Sequence, residues 1–173
     1  SKSVQSGSSD SAGEMPPKPS AQPAPTARKN FLAALSQPLI DAHTARVRRE
    51  GKDLTIVTCG GMVLKADAAA EALKQKGIEI EIVDLRSLAP LDKKSVLDSV
   101  AKTKRAIVLD EGPMIGGVSA EIAAMIQEKA FDSLDAPVLR VTSLDAPAIY
   151  SPPLEKRQLP DAARVVAKVL SIA

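Results

Sequence analysis

From residue 54 onward, short apolar runs alternate with longer segments in which apolar residues recur every three or four positions. The short runs are typical of buried strands and cover residues 54–58, 78–85, 106–109 and 138–142. The longer segments predict helices over 62–76, after Asp92, after Gly117 and after Asp161. Strands that alternate with helices of about 10 to 15 residues predict a parallel sheet with helices on both faces.

A charged segment, residues 46–50, precedes this pattern and ends at Gly51. Its charge suits a strand at the edge of a sheet. The link through Gly51 and Lys52 is too short for the crossover that parallel strands need, so this strand must be antiparallel. We therefore predict an α/β protein with three layers, α/β/α, and a five-stranded, mostly parallel sheet with one antiparallel edge strand.

The amino-terminal part of the chain has a different composition. Residues 1–29 are rich in Ser, Pro, Gly and Ala and have few large apolar side chains, which predicts a disordered tail. Residues 30–44 mix apolar side chains with Pro38, which is typical of a linker or a short helix. The folded domain is expected over residues 45–173.

Composition excludes several classes of function. Apolar residues make up 45% of the chain but aromatic residues only 2%, so the core must consist of Val, Ile, Leu and Ala. The net charge is +2, with both signs interspersed along the chain, which argues against nucleic acid as a partner. No apolar stretch of about 18 residues occurs, so we expect no membrane span. The chain has one histidine, His43, and one cysteine, Cys59, so neither a zinc site nor an internal disulfide is expected. Cys59 is interpreted as a small buried apolar residue.

Two glycine turns follow predicted strands and invite comparison with phosphate-binding loops. Residues 112–119 have the glycine spacing of such a loop, but Val118 stands where a lysine would supply the positive charge. Cys59-Gly60-Gly61 lacks the glycine spacing of a dinucleotide-binding turn. Both turns are therefore interpreted as packing devices, and Gly117 is expected to need a tight entry into its helix with a positive φ.

Charged side chains at the carboxyl ends of the strands are the best candidates for chemistry from pattern alone. Asp84 and Arg86 follow one strand, and Asp110 and Glu111 follow the next. Open α/β sheets place their ligands at this edge, and neighbouring carboxylates can act as acid and base. In the alternative interpretation, which we favour, Asp110 and Glu111 cap or salt-bridge turns and face opposite ways.

Four segments carry a resemblance to a known family. They are VDLRSLAPLD at 83–92, D-E-x-P-x-x-G-G at 110–117, AFDSLDAPVLRVT at 130–142 and YSPPLEKRQLPD at 150–161. In order and spacing they resemble the carboxyl-terminal domain of transketolase-like, thiamine-diphosphate-dependent enzymes. The beta subunit of the decarboxylating component of 2-oxoacid (pyruvate or branched-chain) dehydrogenase complexes is the most similar. The resemblance covers about residues 45–172 and includes Gly116 and Gly117, which match a turn of the family.

The resemblance implies an oxidoreductase of a multienzyme complex in which this domain serves assembly. Its implied partners are an alpha subunit or pyrimidine-binding domain, a second copy of the chain, and the dihydrolipoyl acyltransferase core. Thiamine diphosphate and Mg²⁺ are held in the family by another domain with a G-D-G motif and a later Asn-Asn. This chain has no G-D-G and a single asparagine, Asn30. No catalytic, cofactor-binding or metal-binding residue is therefore carried over, and the compartment stays open between cytoplasm and mitochondrial matrix.

The run from Phe131 to Asp135 is the candidate for docking the acyltransferase, whose subunit-binding domain is basic in this family. Asp132 and Asp135 offer two carboxylates beside Phe131 and Leu134, where a helix ends. In the alternative interpretation both apolar residues belong to the core and both acids to a solvated turn. Three other functions stay open: a stand-alone binding module tethered by the Pro-rich tail, the carboxyl-terminal domain of another transketolase-like enzyme, or a small enzyme that uses Asp84, Arg86 and Asp110.

Overall fold

A computed structural model describes residues 44–172, and these form one five-stranded sheet with helices on both faces. The strands are β1 (Arg46–Arg49), β2 (Leu54–Thr58), β3 (Ile80–Asp84), β4 (Ala106–Pro113) and β5 (Leu139–Ser143), in the order β1-β3-β2-β4-β5. β1 is antiparallel to β3, and the other neighbours are parallel. The predicted fold class is confirmed. The predictions for residues 1–43, including His43, lie outside the described residues.

Five α-helices cover the sheet: α1 (Met62–Lys74), α2 (Lys93–Thr103), α3 (Val118–Ala130), α4 (Pro152–Gln158) and α5 (Ala162–Leu170). Alternate side chains of β2, β3 and β4 enter two separate cores. Ile56 and Ile107 pack on one face with α1 and α5. Val57 and Val108 pack on the other face with α2 and α3. Three layers therefore follow from strands that are apolar on both sides.

Capping hydrogen bonds confirm two of the predicted helix starts. The Asp92 side chain accepts a hydrogen bond from Ser95 N at 3.1 Å, and that of Asp161 accepts from Arg164 N at 2.8 Å. The sequence did not predict α4, which lies in the proline-containing segment after β5. Pro152 and Pro153 occupy the first positions of α4, where a missing N–H costs nothing. β4 also runs four residues past its predicted end at Leu109.

The link between β1 and β2 is closely packed against β3. Although β1 and β2 are consecutive, β3 lies between them, so the link crosses the start of β3. A Cβ on Gly51 would lie 2.2 Å from the backbone carbon of Ile80 and from the nitrogen of Glu81. Only glycine fits this crossing, which the charged sequence of β1 did not reveal.

A buried carboxylate lies beside this crossing. Glu81 is 1% exposed, and its Oε1 accepts a hydrogen bond from Ser99 Oγ at 2.5 Å. Its Oε2 accepts from Gly51 N at 3.3 Å and pairs with the Lys102 ammonium group. Ser99 and Thr55 continue the network, with 2.8 Å between their hydroxyl oxygens. We call Glu81, Ser99, Thr55, Lys102 and Gly51 the amino-end cluster, since it lies where β2 and β3 begin.

Candidate functional site at the carboxyl ends of the strands

The structure brings the predicted strand-end carboxylates to one edge of the sheet. Thr58, the last residue of β2, pairs with Asp84 of β3 on one side and with Leu109 of β4 on the other. Cys59, interpreted from the sequence as a small buried apolar residue, comes next; it is half-buried and packs against the α2–α3 core. Burial raises the pKa of the Cys59 thiol, and the negative charges of Asp110, Glu111 and Asp84 raise it further. This edge is therefore electrostatically negative around Cys59.

Asp110 uses both carboxylate oxygens to hold the glycine turn. Its Oδ1 accepts a hydrogen bond from Gly112 N at 2.9 Å, and its Oδ2 accepts from Ser119 N at 3.0 Å. Ser119 lies in the first turn of α3, whose N-cap residue Gly117 has no side chain to supply a cap. Asp110 thus caps α3 from the preceding strand, which matches the turn-capping interpretation of this residue. Its oxygens are already engaged by the backbone.

Asp84 has a similar local role after β3. Its Oδ1 accepts a hydrogen bond from Arg86 N at 3.1 Å. Arg86 has a φ of 58°, in the left-handed region of backbone conformation that residues other than Gly, Asn and Asp rarely adopt. The Asp84 carboxylate therefore stabilises a strained turn. Glu111 is exposed, with Oε2 3.7 Å from the place of a Cβ on Gly61.

The expected positive φ in the glycine turn belongs to a different residue. Gly117 has a φ of −74°, whereas Gly116 has a φ of 74°. The requirement for glycine at 117 comes instead from crowding, because a Cβ there would lie 2.2 Å from the Pro113 carbonyl oxygen. The prediction of a tight entry is confirmed, and its assignment to φ is wrong.

The candidate docking run lies at the end of α3, in a 3₁₀ turn over Phe131–Ser133. Phe131 is 65% exposed, so it is not the core residue of the alternative interpretation. Leu134 is half-buried and packs against the α2–α3 core. Asp132 and Asp135 are both exposed. A cavity of about 270 Å³ borders Phe131, Leu134 and Asp135.

Sequence reasoning missed a group of exposed apolar residues in the loops after β4 and β5. Ile115 is 79% exposed, Leu144 54% and Tyr150 100%. Ile115 N donates a hydrogen bond to Asp145 Oδ1 at 3.1 Å, which joins the two loops. Isolated apolar residues in a proline-containing loop have no periodicity, so the sequence offered no signal for these exposed side chains. Ile115 and Leu144, in the two joined loops, are called the apolar patch.

The described residues do not fit a metal-bound diphosphate at this edge. Between residues 44 and 172, no group of three His, Cys, Asp or Glu side chains is placed to hold a metal ion. Asp110 already binds two backbone N–H groups. No chemical step is therefore assigned to these side chains.

Within residues 44–172, no helix is long and apolar enough to span a bilayer.

Comparisons with known proteins agree with this architecture. The sequence model of the family "Transketolase, C-terminal domain" matches residues 43–165. The chain is 48% identical, over 143 residues, to the pyruvate dehydrogenase E1 component subunit beta of Leifsonia xyli, covering 82% of this chain and 41% of that relative. It is 40% identical to the acetoin:2,6-dichlorophenolindophenol oxidoreductase subunit beta of Bacillus subtilis, over 74% of this chain and 37% of that relative.

Among solved structures, a transketolase is similar to the chain in fold and in sequence. It is described as a split gene transketolase, inactive beta4 tetramer, and has a TM-score of 0.66 and 31% identity over 75% of this chain and 42% of its own. The chain thus spans less than half of each of these relatives. Since the family model matches most of the chain and the sheet has the predicted form, the chain belongs to the family of transketolase carboxyl-terminal domains.

Proposed function

We propose that the chain is the carboxyl-terminal domain of the beta subunit in the decarboxylating component of a 2-oxoacid dehydrogenase. In this role it contributes to subunit dimerisation and to docking of the dihydrolipoyl acyltransferase core rather than to chemistry. The 48% identity to a pyruvate dehydrogenase beta subunit supports the choice of enzyme. Thiamine diphosphate and Mg²⁺ of the assembled enzyme are then held outside this domain.

The observation that carries the proposal is the pair of exposed apolar side chains Ile115 and Leu144, in two loops joined at the carboxyl-end edge. Asp84 and Asp110 at the same edge bind backbone N–H groups, whereas these two side chains contact solvent. Exposed apolar groups that lie together are typical of surfaces that bind another protein. The patch therefore suits contact with the alpha subunit, the pyrimidine-binding domain or a second copy of the chain.

A different surface suits the acyltransferase. Asp132 and Asp135 are exposed beside Phe131, at the end of α3 where the helix dipole adds negative potential. A basic subunit-binding domain would be attracted to these charges and would cover Phe131, an aromatic anchor of the kind enriched in interfaces.

Assembly is tested by mixing the chain with the alpha subunit of its own organism and measuring mass by light scattering. The double variant Ile115→Asp and Leu144→Asp should weaken assembly by roughly a hundredfold or more, because it places two charges in a buried interface. Leu64→Asp changes a leucine on α1 whose exposure lies between those of Ile115 and Leu144, and it serves as the matched control. Equal loss in both variants, or none in the double variant, would contradict the proposed contact surface.

Docking is tested by the association rate with the acyltransferase's subunit-binding domain. Asp132→Lys with Asp135→Lys should slow association roughly tenfold and flatten its salt dependence, since rim charges act through steering. Glu121→Lys reverses a charge at the other end of α3 and should leave the rate nearly unchanged. An unaltered rate in the double variant would exclude this surface.

A second candidate is the same role in an enzyme acting on acetoin, which the 40% identity to an acetoin oxidoreductase beta subunit favours. Turnover of the reconstituted enzyme with pyruvate and with acetoin separates the two candidates. The surfaces proposed here are common to both.

A further inference from the structure

A groove of about 440 Å³ lies between the edge strand β5 and helix α5. Its cationic side chains are Arg140 from β5 and Arg164 and Lys168 from α5. The lining contributed by the described residues contains no Asp or Glu side chain. A concave surface of this volume lies within the range of small-molecule sites, which is roughly 300 to 1,000 Å³.

The two guanidinium groups in the groove are held in place by the backbone. Arg140 Nη1 donates a hydrogen bond to the Met114 carbonyl at 2.7 Å. Arg164 Nη2 donates to the Thr142 carbonyl at 2.8 Å. Each guanidinium has five N–H donors, so most donors of each group stay available to a ligand. Neither arginine nor Lys168 forms an ion pair with a carboxylate in the described part of the chain.

A second cavity extends this positive surface and shares Arg164 with the groove. It has a volume of about 630 Å³ and adds Lys65 from α1 and Lys156 and Arg157 from α4. The acidic side chains in its lining are those of Glu155 and Asp161. One oxygen of Asp161 already accepts the Arg164 backbone N–H.

Folding therefore gathers positive side chains that are distributed along the sequence around the two cavities. Six cationic and two acidic side chains line the two cavities, whereas the whole chain has a net charge of +2. Helices α1, α4 and α5 and strand β5 each contribute to this surface. No pattern along the sequence marks it, since the cations come from four separate elements.

We propose that the groove between β5 and α5 binds a small anion that carries two linked phosphate groups. Fixed guanidinium groups match the paired oxygens of a phosphate, and Lys168 supplies a third positive charge. No aromatic side chain among the described residues lines either cavity, so no stacking partner is available for a base or another ring. The site therefore recognises the diphosphate and not the organic group attached to it.

The test is a calorimetric titration of the 173-residue chain with inorganic pyrophosphate at low salt. We expect saturable binding with one site per chain, and a roughly tenfold weaker affinity in Arg140→Gln, which removes one charge-assisted contact. Lys168→Gln changes an exposed residue of α5, leaves both fixed arginines intact, and should weaken binding roughly fivefold. Circular dichroism checks that each variant is folded.

Lys129→Gln is the matched control, because Lys129 is an exposed cation of α3 that lines neither cavity. Its affinity should stay within about twofold of the unaltered chain. Equal weakening in Lys129→Gln and Lys168→Gln would mean general charge attraction and would overturn the proposal. So would an absence of saturation up to about 10 mM pyrophosphate.

Two further ligands test the class of anion. Thiamine diphosphate should bind no tighter than pyrophosphate, because the groove offers nothing for its rings. A poly-glutamate peptide should bind more weakly than pyrophosphate, because two fixed guanidinium groups that line one groove favour a compact anion. Tighter binding of either ligand would overturn recognition of the diphosphate alone, and tighter binding of the peptide would indicate docking of an acidic protein segment.

Discussion

At the amino ends of the parallel strands, Glu81 is 1% exposed and is surrounded by Ser99, Gly51 N and Lys102. At the carboxyl ends, Asp84 and Asp110 are half-buried and accept hydrogen bonds from backbone N–H groups of the turns and the helix that follow. The first arrangement ties β3 to α2 and to the β1–β2 link, which are distant in sequence. The second organises loops and leaves apolar side chains exposed beside them.

This difference gives the two ends of the sheet different roles. The amino end contributes to the stability of the fold, and the carboxyl end offers a surface for contact with a partner. A buried carboxylate with several partners is costly to disturb, because each partner loses its hydrogen bond in an environment without water. A half-buried carboxylate that caps a turn can be replaced at lower cost, since water reaches the freed N–H groups. The carboxyl-end edge is therefore where surface residues can vary with a binding partner.

The largest effect is expected from a substitution that breaks the amino-end cluster. Glu81→Ala should lower the free energy of unfolding by about 3 kcal/mol, because Ser99, Gly51 and Lys102 lose a shared acceptor. Asp110→Ala should lower it by about 1 kcal/mol, the usual cost of a lost cap. Urea denaturation of both variants gives the comparison. Equal losses would mean that the two ends of the sheet do not differ in the way described.

The next effect concerns crowding at the carboxyl-end turn. Gly117→Ala should cost about 2 kcal/mol, because its Cβ would lie 2.2 Å from the Pro113 carbonyl oxygen and the turn must shift. Gly116→Ala meets no atom within 4 Å and should cost about 1 kcal/mol through its φ of 74°. Thermal melting ranks the pair. A larger loss of stability in Gly116→Ala would mean that backbone conformation, and not crowding, is the main reason for glycine in this turn.

The smallest effect uses pH to separate the two ends of the sheet. Asp92 lies at the carboxyl end, because it accepts a hydrogen bond from Ala45 N, and the next residue, Arg46, pairs with Asp84 at the end of β3. Hydrogen bonds from the Ser95 side chain and from the Ser95 and Ala45 backbone lower the pKa of Asp92 below its ordinary 3.8, outweighing the opposing effect of burial. A lowered folded-state pKa contributes stability above pH 3.8 that is lost as pH falls through the folded value. Glu50 and then Glu81 raise the pKa of Lys102 above 10.5, so its contribution is full below that pH and is lost on further alkalinisation.

Unfolding measured across pH in two variants checks this assignment. Asp92→Asn should reduce the dependence of stability on acid and leave the alkaline limb unchanged. Lys102→Gln should do the reverse. If either variant altered both limbs equally, the two ends would be coupled through the sheet.

Residue types and spacing were sufficient to predict the strands, most helices and the caps at Asp92 and Asp161, because these depend on local hydrogen bonds and periodicity. The carboxyl-end edge was also predictable, since parallel strands bring Asp84 and Asp110 to the same side of a sheet. What these residues do there was not predictable. Their roles depend on which backbone N–H groups lie within reach, and Ser119 N is nine positions away from Asp110.

Tertiary structure alone decided four features. It placed β3 between β1 and β2, and this position makes glycine necessary at residue 51. It surrounded Glu81 with partners from α2 and exposed Phe131 at the end of α3. It also gathered cations from β5, α1, α4 and α5 around two cavities. Each of these depends on contacts between segments far apart in the chain, and periodicity within a segment carries no information about such contacts.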